Sequence, residues 1–151
     1  MRTRYRVSGL SVVVLFVVGL ACTASTLVVS QDNGDFLLIQ DAIDAAADHD
    51  HIIVQDGTYC ENLRLSKPLS LVAVGDVTLK PSDSDLPAIS VTEAEGILIH
   101  GLNIMEAAVG FQVVNSTGAI SGCSLATSDI GIHAMAFSDT TLTITDLTLR
   151  G

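Results

Sequence analysis

The chain has 151 residues, enough for one domain and no more. Seven basic residues against 17 acidic ones give a net charge of −10. Such a field repels nucleic acid and anionic membrane, so neither is an expected partner.

The first two dozen residues do not read as fold. Arg2, Arg4 and Arg6 make a basic start, Leu10 to Leu20 is an apolar run, and Ala21, Cys22, Thr23 and Ala24 are small. Basic, apolar, small is the order of an export signal, and the apolar run is short for a membrane span of roughly 20 residues. Residues 1–24 are therefore expected to be a signal peptide. The remainder is expected to be secreted, periplasmic or held at the cell surface. Gly19-Leu20-Ala21 and Cys22-Thr23-Ala24 both offer cleavage positions. Cys22 is also a candidate lipidated first residue, which would give a lipid anchor. The three Arg fall in the signal and no acid does, which leaves four basic against 17 acidic residues, or −13, beyond it.

Thr26-Leu27-Val28-Val29 is a short strand candidate, and Gln31 to Asp35 is rich in turn residues. In Phe36 to Ala47 the apolar Ile39, Ala42, Ile43 and Ala46 recur at i, i+3, i+4 and i+7, the spacing of one helix face. Asp35 is its candidate N-cap. After Asp50 the period changes. Ile52-Ile53-Val54 is an apolar run, and Leu63, Leu65, Leu69, Leu71, Val77 and Leu79 alternate with other residues. From there on the pattern is short strands separated by Gly, Asp, Asn and Ser.

Those strands repeat. Ile97-Leu98-Ile99-His100-Gly101-Leu102-Asn103-Ile104 aligns with Gly118 to Leu125, 21 residues on, and again with Leu142 to Leu149, a further 24 on. Asp76-Val77-Thr78-Leu79 matches Gly101 to Ile104 at a step of 25, and Gly110-Phe111 matches Gly131-Ile132 at 21. A near-constant period of this size means a solenoid, in which stacked units bury one continuous apolar interior. The Gly or Asp between the two strands of a unit supplies a corner. The Leu-x-x-Leu-x-Leu-x-x-Asn unit of leucine-rich repeats is not found. The expected fold is all-β: a right-handed parallel β-helix of about five coils over residues 25–151, with a capping α-helix over its first coil.

The series Ile39 to Ala46, Ile52-Ile53-Val54, Gly57-Thr58-Tyr59-Cys60-Glu61-Asn62-Leu63, then Leu69-Ser70-Leu71-Val72, resembles the N-terminal coil of pectin lyase-like β-helix proteins. Pectinesterases and many secreted right-handed β-helix repeat proteins share it. The resemblance is close over about residues 26–80 and looser to Gly151. It implies the fold more than an activity, since the superfamily holds lyases, hydrolases, esterases, epimerases and non-catalytic proteins. By analogy it implies a polysaccharide or cell-surface glycan as partner and admits Ca²⁺, which could bridge the acidic surface to a polyuronate. Gly57 is read as a turn residue, Tyr59 as a cover for the apolar edge, and Glu61 as an acceptor of backbone N–H bonds.

No catalytic set stands out. The Gln-Ala-Val-Ala, Gln-Asp-Thr-Leu and Asp-Phe-Ile-Phe-Gly signatures of pectinesterases have no match. Of the Arg residues beyond the signal, Arg64 lies between Leu63 and Leu65, faces outward, and is the weak catalytic candidate. Asp48-His49-Asp50-His51 is the densest polar cluster, and His49 and His51 are weak candidates for Zn²⁺ or Cu²⁺. Asn115-Ser116-Thr117 is an N-glycosylation sequon. Cys60 and Cys123 share no spacing motif. An exported protein could pair them, and buried unpaired thiols are the simpler expectation. The expected function is that of an exported binding or scaffold module. The rival is the N-terminal part of a polysaccharide lyase, glycoside hydrolase or pectinesterase-like enzyme, the chain being cut at a repeat corner.

Overall fold

The computed structural model describes residues 23–136 and 141–150. In chain order the elements are β1 (Thr26–Val29), α1 (Ile39–Ala45), β2 (His51–Cys60), β3 (Leu63–Leu65), β4 (Ser70–Lys80), β5 (Ile89–Thr92), β6 (Ile97–His100), β7 (Asn103–Val114), β8 (Gly118–Ser121), β9 (Ser124–Met135), β10 (Leu142–Thr145) and β11 (Thr148–Arg150). Every pairing between these strands is parallel. The result is an all-parallel β-solenoid of about five turns with one short helix. Residues 1–22 of the expected signal, Cys22 among them, lie outside the described residues.

The register sorts the strands into three stacks. The first runs through β1, the start of β2, the start of β4, β6, β8 and β10. The second runs through the ends of β2 and β4, the starts of β7 and β9, and β11. The third holds β3, β5 and the ends of β7 and β9. Side chains alternate across a strand, so every second residue points inward and like residues pile into columns. Ile52, Leu71, Ile99 and Ile120 form one column, Tyr59, Leu79, Ile104 and Leu125 a second, and Leu63, Ile89 and Phe111 a third. All are buried. At roughly 25 cal/mol per Å² of apolar area, these columns are the main favourable term of the fold.

The sequence repeats are the structural register. Ile97 pairs with Gly118, Gly118 with Leu142, Thr78 with Asn103, and Phe111 with Ile132, the steps read from the sequence. The expected corners also hold. Gly101, Gly122 and Asp146 follow one another along the stack, each with positive φ (80°, 60° and 51°). A left-handed turn there carries the chain from the first stack to the second. One coil before Gly101, Gly75 in β4 has φ 89°, and two coils before it Gly57 takes φ 153° beside a register shift in β2.

The helix is shorter than its periodicity suggests. It covers Ile39–Ala45, and its N-cap residue Leu38 makes no side-chain cap bond. Phe36 cannot join it because its backbone is committed to β1: its N–H donates to Val28 O (3.1 Å) and its carbonyl accepts from Ser30 N (3.0 Å). Asp35 does not cap the helix either. Its carboxylate accepts Val28 N–H at 2.9 Å, on the side of β1 turned away from β2. The 31–36 loop thus satisfies the strand edge that a solenoid would otherwise leave open. The expected apolar face, Ile39, Ala42, Ile43 and Ala46, is buried against the first coils.

Candidate functional site

The segment Glu61 to Lys67 holds the helix at three points. Glu61, only 8% exposed, accepts the N–H groups of Ile39 and Gln40, both at 2.9 Å. These are orphan donors of the first turn, and a carboxylate there also meets the positive end of the helix dipole. Lys67 sits at the opposite end, its ammonium donating to the carbonyls of Ala46 (2.6 Å) and Asp44 (3.1 Å). Between them, the Gln40 amide lies along β3: its Oε1 accepts Arg64 N–H at 2.8 Å and its Nε2 donates to Arg64 O at 3.3 Å. A side-chain amide thereby takes the place of a neighbouring strand at the edge of β3 that β5 does not cover.

Asn62 organises the other flank. Its Oδ1 accepts Asp83 N–H (2.8 Å), and its Nδ2 donates to the carbonyls of Asp83 (2.9 Å) and Pro87 (3.0 Å). These bonds fix the 81–88 loop against the coil. Loop and helix then wall a cleft of about 480 Å³ on the outside of β3, lined by Gln40, Asp44, Asn62, Arg64, Ser82 and Asp83 among others. Leu63 and Leu65 point inward and are buried, so Arg64 between them points out, as its spacing required. Of the basic residues beyond position 24, Lys67 caps the helix and Lys80 pairs with Glu106 at 2.6 Å. Arg64 makes no ion pair among the described residues. The cleft therefore offers a free guanidinium beside carboxylate, amide and hydroxyl groups, a set suited to a polar, hydroxyl-rich ligand.

His49 and His51 come together at a second, smaller hollow of about 300 Å³ with Ala24, Leu69, Ser70 and Gly96. The intervening Asp50 is turned away. Its carboxylate accepts Ser25 N–H (2.6 Å) and Ala47 N–H (2.8 Å). Those two backbone bonds, Ser25 first, hold its pKa below the usual carboxylate range. Among the described residues no group of three or more His, Cys, Asp or Glu is placed to hold a metal ion.

The remaining sequence candidates have structural employment. The Tyr59 ring is buried and its hydroxyl donates to Gln55 O at 3.0 Å. Burial, with Glu61 nearby, raises its pKa. Asn115 has φ 47° and stacks above Glu93 (φ 53°), so it serves as a left-handed corner residue, a place where Asn is favoured. In the same sequon the Ser116 hydroxyl is buried, accepting Ala94 N–H and donating to Val114 O. Cys60 and Cys123 are both unpaired. Cys123 is buried as expected, and burial pushes its thiol pKa up. Cys60 is exposed, because it follows the inward-facing Tyr59 on β2.

Gln40, Asn62 and Lys67 escaped the sequence reading. The signal was present: Gln40 to Arg64 and Ala46 to Lys67 are separated by 24 and 21 residues, the same steps as the strand repeat. Compared with known proteins, the sequence matches no family model and no curated protein.

Proposed function

We propose that residues 25–151 form an exported β-helix module, akin to the pectin lyase-like proteins, that binds a glycan at the cell surface or in the periplasm. The signal-like start and the Gly57-Thr58-Tyr59-Cys60-Glu61 series support the export and kinship parts of this reading. The observation that carries the binding part is Arg64, whose guanidinium makes no ion pair among the described residues and lines a polar cleft between α1 and the 81–88 loop. The neighbouring Asp44 and Asp83 disfavour a bare polyanion. Neutral or cation-bridged sugars suit the site better, with Ca²⁺ as the bridging ion. If Cys22 is lipidated, the module is tethered to a membrane while its cleft faces outward.

Binding of the purified chain to a glycan array, followed by titration of the best ligand, tests the reading. Arg64→Ala is expected to weaken binding about tenfold, or about 1.4 kcal/mol. Unchanged affinity in that variant would place the ligand elsewhere. The carboxylates flanking Arg64 also keep an enzymatic reading in view, in which this segment belongs to a polysaccharide lyase or pectinesterase-like enzyme. Uronate or methanol release from pectin that disappears in Arg64→Ala would decide for the enzyme. Binding that survives chelation, without release of product, decides for the module.

A further inference from the structure

We propose that the chain is cut between Ala24 and Ser25 on export, and that the freed Ser25 α-ammonium pairs with the buried carboxylate of Asp50. This rests on the export reading of the signal-like start and is independent of the glycan reading. Two small-residue positions suit an export peptidase, Gly19-Leu20-Ala21 and Cys22-Thr23-Ala24. Only a cut after the second leaves an amine on Ser25.

Asp50 is 5% exposed, and among the described residues its carboxylate makes no ion pair. Buried carboxylates ordinarily have a cationic partner, because desolvation penalises an unpaired charge. The basic groups that act on it, His51 and Lys67, are turned elsewhere. Lys67 donates to the carbonyls of Ala46 and Asp44, and His51 lines the hollow with His49. Asp50 has two backbone donors instead, Ala47 N–H on Oδ2 at 2.8 Å and Ser25 N–H on Oδ1 at 2.6 Å. The Ser25 nitrogen is the one that a cut after Ala24 makes cationic, so the missing counter-ion arises in place.

The path of the chain agrees. The Ser25 carbonyl accepts His51 N–H at 2.8 Å, and β1 starts at the next residue. Thr23 and Ala24 are exposed and belong to no strand. Among the described residues, Ser25 is thus the first that hydrogen bonds tie to the coil. The chemistry is hydrolysis by an export peptidase. Water's oxygen goes to the new Ala24 carboxylate, and both its protons end on the Ser25 nitrogen. A neutral donor becomes an ion pair between the same two atoms, which fastens the start of the chain to the turn between α1 and β2. The cut also removes Cys22, so the product carries no lipid anchor. A cut after Ala21 keeps the Ser25 nitrogen an amide and Asp50 without a counter-ion.

Expression of the full chain in an exporting bacterial host, with the intact mass of the product, locates the cut. A chain beginning at Ser25 is expected. Selective acylation of its α-amine near pH 7 then reads the pairing. The native amine is expected to react about tenfold more slowly than the same amine in urea, the effect of holding its proton over about one further pH unit. Ser25 is exposed, so the protection comes from charge and not from burial. Asp50→Asn is expected to be cut at the same bond and to lose most of that protection. The urea comparison needs only the parent chain, so it decides even where the variant does not fold. An exported product beginning at Cys22, or a native amine as reactive as the unfolded one, would overturn the proposal while leaving export intact. A chain kept uncut inside the cell would overturn it together with the export reading.

Discussion

At the N-terminal end of the solenoid, Val28 of β1 and Ser30 just after it direct their outward backbone groups to Asp35 and Phe36, and the Gln40 amide lies along β3. At the C-terminal end, β10 and β11 have described neighbours on one side only, and Ile144 and Leu149 stand in water. The inward columns are the same at both ends, so the difference does not lie in strand pattern. It lies in a few polar side chains that imitate strand neighbours, and in one amphipathic helix that covers the first coil. A parallel coil can thus be closed by single carboxylates and amides, provided each reaches an edge group and the core is covered above it.

This contrast can be broken residue by residue. The largest effect is expected from Ile43→Ala, which opens a cavity under the cap at a position 2% exposed. A loss of about 2–5 kcal/mol is expected, read from urea denaturation. Glu61→Ala comes next, since it leaves two helix N–H groups without their carboxylate. A loss of about 2–3 kcal/mol is expected, with Glu61→Gln milder because an acceptor remains. Gln40→Ala frees the edge of β3 at a partly solvated place, for about 1 kcal/mol, with faster hydrogen exchange at Arg64.

Asp50 gives the contrast a pH signature. Its folded pKa lies below its unfolded value because Ser25 and Ala47 donate to the carboxylate. The stability it contributes is therefore present above the ordinary Asp pKa of about 4, and fades as pH falls towards the lower folded value. Asp50→Asn is expected to lower the midpoint of thermal unfolding at pH 7 and to flatten its fall as the pH drops below about 4. The smallest effect belongs to the other end. Leu149→Ala is expected to change stability by less than about 0.5 kcal/mol, because the side chain is already 66% exposed.

Much of this was legible in the sequence because period and register are one quantity in a solenoid. The 21-, 24- and 25-residue steps became strand partners without adjustment, and Gly or Asp between paired strands became the corners. What escaped was polar and local. Asp35 resembles a helix N-cap as much as a strand-edge cap, and only the commitment of Phe36 to β1 decides between them. Glu61 was foreseen as an acceptor of backbone bonds, but the helix was not foreseen as their donor. Arg64 was placed outward by alternation alone. The walls of its cleft depend on Asn62 folding the 81–88 loop back, which no periodicity encodes.

Hydrogen exchange of single amides tests the contrast between the two regions most directly. The N–H groups of Val28 and Ser30 are expected to exchange slowly, because Asp35 and Phe36 hold them within the chain. Those of Ile144 and Leu149 are expected to exchange quickly, because no described strand accepts them. Rapid exchange at Val28 and Ser30, or strong protection of Ile144 and Leu149, would contradict the contrast between these two regions.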